Sequence, residues 1–145
     1  MTRILRFCVL TGWCAATMVG TAEPLQKTLM EGARANRWDA TIEGLVRDIA
    51  CPMQNLDGDA THLGLKCVKD CVNAGSPIGI LTKDGVVYLP ISDKMPDYSQ
   101  REKLMPFLAK YVRVKGIAFE RSGTHVIVIT DIEEMKDVHL TLEGG

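Results

Sequence analysis

The chain has no Gly-x-Ser-x-Gly element, no glycine-rich phosphate loop and no Cys-x-x-Cys-His. The first absence removes the nucleophile elbow of the serine hydrolases, the second a backbone cradle for nucleotides, and the third covalent haem attachment. Internal repeats, low-complexity tracts and any linker long enough to divide the chain are also lacking, so the 145 residues allow one modest domain. Neither sign of charge dominates, with 17 basic residues against 18 acidic ones. Aromatic residues are only 6% of the chain, and of the segments read below as the second and third strands only Tyr88 supplies one. A nucleic-acid groove needs clustered positive charge and stacking platforms together. The run of Arg101, Lys103, Lys110, Arg113, Lys115 and Arg121 therefore reads as a solvated face, and no nucleic-acid partner is expected. His125 and His139 have no nucleophile motif beside them and Glu133-Glu134 reads as surface, so an enzyme is not expected.

Long apolar runs are missing except at the start. Arg3 and Arg6 precede an uncharged, mostly apolar stretch from Phe7 to Gly20, and Gly20-Thr21-Ala22 offers the small residues that a signal peptidase reads. Residues 1–22 are read as a signal peptide cut after Ala22. A retained anchor is the alternative, but the run falls short of the ~20 residues a span needs. Cys8 and Cys14 leave with the signal, and 15 basic residues then face 18 acidic ones, a formal charge of −3. The expected product is periplasmic or secreted, with no membrane span after cleavage.

Residues 23–37 read as an arm or short helix, and residues 38–145 as one domain. "WDATIEGLVRDIA" from Trp38 has β-branched residues in approximate alternation and reads as a first strand, with Gly44 marking a bend. Thr61 can cap a helix starting at His62, on which Leu63, Cys67 and Cys71 fall four apart and Gly75 is suited to the C-terminal cap. "IGILTKDGVVYLPI" reads as a hairpin turning at Asp84-Gly85, whose two residues tolerate positive φ. A loop and a short helix follow, in which Pro106 either falls in the first turn or breaks the helix. "VRVKGIAFERSGTHVIVITDI" reads as a second hairpin turning at Ser122-Gly123, and the tail as a short strand or a frayed end. Trp38 and Phe119 read as core, and His125 as an exposed partner of Glu120 across the hairpin. Five short strands with mid-strand glycines describe a five-stranded OB-like barrel, mainly β. The cysteine helix sits between strands 1 and 2 and the second short helix between strands 3 and 4. An open α+β sheet is the alternative.

"CPMQNLDGDATHLGLKCVKDC" holds three cysteines, an odd number for a compartment where thiols pair. In one reading Cys51, His62, Cys67 and Cys71 bind one metal ion. Three thiolates and an imidazole form a closed tetrahedral set suited to zinc, while the thioether of Met53 would make the set softer and suit copper(I). Cys67 and Cys71, one helical turn apart, project to one side; His62 could join only from the cap, and Cys51 would close the site from the end of the first strand. In a second reading a disulfide ties Cys51 to Cys67 or Cys71 and one thiol is spare, with no metal and a binding partner engaged elsewhere. In a third the thiols are redox-active, although only Lys66 and Lys69 are at hand to favour a thiolate. "NLDGDATH" fails as a calcium loop, because Gly58 comes early and Lys66 stands where the closing glutamate belongs.

Gly44, Cys51, "HLGLKCVKDC", "GSPIGILTKDGVVYL", "VRVKG" and "GTHVIVITDIE" together resemble a family of small exported bacterial domains with a Cys…His…Cys-x3-Cys arrangement. The resemblance runs from about Ala40 to Glu133 and implies an OB-like fold and an exported location; it implies no activity. The leading expectation is thus an exported metal-binding domain, holding zinc or copper at Cys51, His62, Cys67 and Cys71 with Met53 in reserve, and open to a partner protein of the cell envelope.

Overall fold

The structure, a computed structural model, describes residues 36–54 and 62–143. The expected signal peptide, the arm up to residue 35 and the loop over 55–61 lie outside the described residues. The elements in chain order are β1 (Asn36–Asp48), α1 (Ala50–Gln54), β2 (His62–Gly64), α2 (Leu65–Asn73), β3 (Ile78–Thr82) and β4 (Val87–Pro90). They are followed by α3 (Arg101–Leu104), a 3-10 turn (Met105–Phe107), β5 (Tyr111–Arg121), β6 (Thr124–Glu134) and β7 (Thr141–Glu143).

Strands β1-β3-β4-β6-β5 close into a barrel, the OB-like five-stranded architecture expected, with β4 and β6 parallel and the other pairs antiparallel. Closure depends on β1 serving two neighbours. Its first part pairs with β5, its end pairs with β3, and Gly44 faces both Val112 and Thr82 at the changeover. A Cβ there would lie 2.6 Å from the Leu81 carbonyl oxygen, so the strand can turn the corner only as glycine. Gly116 plays the same part in β5, where the register with β6 slips and a Cβ would meet the Val128 carbonyl oxygen at 2.1 Å.

The Ser122-Gly123 turn has positive φ at both residues, 50° and 82°, as a two-residue hairpin with the twist of its strands requires. The β3–β4 turn differs from the expected two-residue loop. Thr82 N–H donates to the Val86 carbonyl and Gly85 N–H to the Thr82 carbonyl, while only Gly85 has positive φ. This is a three-residue loop ending in a glycine bulge. The Asp84 carboxylate accepts from the Thr82 hydroxyl within the loop.

The interior is filled by Ile42, Val46, Ile78, Ile80, Val112, Val114, Ile127 and Ile129 from the strands, closed by Val72 of α2 and Leu104 of α3. A second cluster outside the barrel joins Leu45, Val68 and Tyr111 to Met135, Val138 and Leu140 of the tail. Helix α2 thus plugs into both clusters through Val68 and Val72. The tail holds a strand: β7 pairs in parallel with β2, His62 opposite Thr141. That pairing explains why α2 begins at Leu65 with Gly64 as its cap, and not at His62 as the local cap signal suggested. Pro106 falls at the start of the 3-10 turn and ends α3. Trp38 is 38% exposed, and Phe119 lies under the Arg37 guanidinium at 5.9 Å. Neither belongs to the core expected of them: Phe119 falls on the outward phase of β5, while Trp38, opposite buried Ala118, is on the inward phase but near the start of β1, where it is left partly uncovered. Among the described residues no helix is long and apolar enough to cross a membrane.

Candidate metal centre

The cysteines are placed by two neighbouring helices of different origin. On α2, Cys67 and Cys71 each precede a buried valine by one residue, about 100° round the axis. Burying Val68 and Val72 therefore aims the cysteine stripe sideways along the barrel end. The end of α2 is fixed: Gly75 N–H donates to the Val72 carbonyl and Ser76 N–H to the Cys71 carbonyl, with Gly75 at φ 102°. Arg101 of α3 donates to the Val72 carbonyl at 2.9 Å and ties that end to the rest of the molecule.

Cys51 stands in the first turn of α1, not at the end of the first strand as the sequence suggested. Asp48 is the cause. Its carboxylate accepts the Cys51 N–H at 2.8 Å, which ends β1 and starts the helix. Asp48 is fully buried, with the Arg47 guanidinium 3.7 Å from its other oxygen. Sequence reading passed over Asp48 as one more strand residue. Its signal was an aspartate three before Cys51, with Pro52 in the first turn, which together mark a helix start.

Three sulfurs converge as a result. Cys51 Sγ lies 3.2 Å from Cys67 Sγ and 3.7 Å from Cys71 Sγ, and all three lie within 4.8 Å of one another. None is in a disulfide; Cys67 is exposed, and Cys51 and Cys71 are half-buried. Zn–S bonds of ~2.3 Å at tetrahedral angles put sulfurs about 3.8 Å apart, so the three could share one ion with small side-chain adjustments. His62 has its backbone in β2, directly before α2, and its side chain lies outside the described residues. Met53 lies in α1 and is 61% exposed. Two residues beyond Cys51, it points about 200° round the helix axis.

The electrostatics disfavour a free thiolate at Cys51 and Cys71. Burial pushes the Cys51 thiol well up, assisted by hydrogen bonds with Cys67, Asp48 and Cys71 and by the Asp48 charge. At Cys71 the hydrogen bond from Cys51 acts downward, but burial, Cys67 and the Asp48 charge outweigh it and the thiol is raised. Lys66 is engaged by Asp70 at 2.6 Å. A cation between the sulfurs would reverse this balance, since Asp48 and the neighbouring thiolates would then attract it.

Two basic residues of β5 and its approach have acidic partners on the barrel exterior. Arg113 bridges Glu43 and Glu133, each at 2.8 Å, and Lys110 meets Glu134 at 2.8 Å. His125 stands opposite Glu120 as expected, but it is half-buried and not exposed, with its ring edge-on to Tyr88 at 5.3 Å. A scan against protein-family models, a search of curated proteins and a search of solved structures return no match to this chain.

Proposed function

We propose that the chain is an exported, non-enzymatic metal-binding domain in which Cys51, Cys67 and Cys71 hold one zinc or copper(I) ion. The observation that carries this is the convergence of three free sulfurs, from two elements 16 and 20 residues apart in sequence, onto one point. Zinc would take His62 as its fourth ligand from the strand before α2, and would cross-link α1 to α2 as a structural ion. Copper(I) is satisfied by two or three soft ligands, with Met53 as the reserve, and would suit hand-off to a protein of the cell envelope. The export rests on the signal-like residues 1–22 and on the resemblance to small exported bacterial domains.

The second reading is a binding module stapled by one disulfide. It is favoured by the Cys51–Cys67 approach of 3.2 Å. Mass spectrometry of the purified chain, native and then denatured, separates the two. Metal binding gives a native mass heavier by one ion and a denatured mass with all thiols reduced. A denatured mass short by two hydrogens, with no ion in the native state, would replace the metal with the staple.

A further inference from the structure

Cys51 stands at different distances from its two neighbours, and the difference has a chemical meaning. The Cys51–Cys71 separation of 3.7 Å already matches two sulfurs on one ion. The Cys51–Cys67 separation of 3.2 Å falls between the two bonded states. It must open by about 0.6 Å to share a zinc ion and close by about 1.2 Å to form a disulfide. Cys67 is exposed to an incoming oxidant, whereas Cys71 is half-buried on the pinned end of α2. Cys67 and Cys71 themselves are a poor pair, since helical neighbours one turn apart hold their Cβ atoms ~5–6 Å apart, beyond the ~3.5–4.5 Å of a disulfide.

We propose that the cluster is a redox-gated metal site, resting on the metal reading above: oxidation joins Cys51 to Cys67 and expels the ion. The oxidant is a disulfide compound such as oxidised glutathione. The Cys67 thiolate attacks one of its sulfurs, forms a mixed disulfide and releases the first glutathione thiolate. The Cys51 thiolate then attacks the Cys67 sulfur, closes the internal disulfide and releases the second glutathione thiolate. Two electrons pass from the two cysteines to the oxidant, and the two released thiolates take protons from water. Cys71, left as a single thiolate, cannot retain the ion and is protonated as the ion departs.

The test uses the reduced chain loaded with zinc, exposed to oxidised glutathione in the presence of a chromogenic zinc indicator, with disulfides mapped on peptides at each time point. Release of one zinc per disulfide formed, with the bond mapped to Cys51–Cys67, is the expected result. Cys71→Ser should still form that bond, and Cys67→Ser should form none within the cluster. Zinc that stays bound while glutathione is consumed, or a bond mapped to Cys71, overturns the gating and leaves the metal reading standing. A reduced chain that takes up neither zinc nor copper(I) overturns both.

Discussion

A methyl group at Gly116 would sit 2.1 Å from the Val128 carbonyl oxygen, a contact that only backbone movement can relieve. Gly116→Ala should therefore cost about 2–3 kcal/mol, read as a shift in denaturation midpoint. Gly85→Ala meets no neighbouring atom and suffers only from its φ of 84°, a cost of about 1–2 kcal/mol. That ordering checks whether the bulge shapes the barrel more than the turn does. Both glycines were legible, Gly85 from its Asp-Gly turn pair and Gly116 as a glycine inside a strand-like run. The cysteine stripe was legible for the same local reason, four-residue spacing on a helix. Asp48 was missed, because its signal lies in its spacing to Cys51 and Pro52 and not in the alternation of β1. Of the three cysteines proposed as ligands, Cys51 is the one whose sulfur is 3.2 and 3.7 Å from the other two, so Cys51→Ser should lower metal affinity more than Cys71→Ser, measured by competition with a chelator.

At the scale of elements, the site is two helices held at the end of a barrel, and it should respond to changes that remove no ligand. Asp48→Ala takes away the acceptor for the Cys51 N–H. It should cost about 1–2 kcal/mol of stability. It should also weaken metal binding by about 10–100-fold, as the loss of a partner that orients a ligand does elsewhere. A variant with lowered stability but unchanged affinity would show that α1 does not position Cys51. The hairpins were readable from short signals, Ser122-Gly123 above all. The start of α2 was not: the chain at His62–Gly64 offers a cap-like pattern, yet pairing with a tail strand nearly 80 residues on decides its conformation. Local pattern cannot report a partner so distant.

For the whole molecule, the exterior ion pairs around Arg113 and Lys110 are exposed and should add little, so moderate salt should hardly move the melting temperature. Acid should act at particular points. The carboxyl of Glu120 is held below the ordinary range by the Gly123 N–H and by Asn36, and that of Asp97 by its hydrogen bonds with Ser92. A lowered folded-state value means stability that is present above the ordinary carboxylate range and lost as pH falls through the depressed one. Glu120→Gln should thus melt below the wild type at neutral pH, and the two curves should converge in acid. The barrel as a whole was legible from five strands and their glycines; its closure, which depends on β1 serving two neighbours, became visible only in three dimensions. The chemistry stands or falls on the set of atoms round the ion. X-ray absorption at the zinc edge of the reduced, zinc-loaded chain measures it directly: the expected shell is three sulfurs at about 2.3 Å with one nitrogen at about 2.0–2.1 Å. A shell of nitrogen and oxygen alone would contradict the cysteine site.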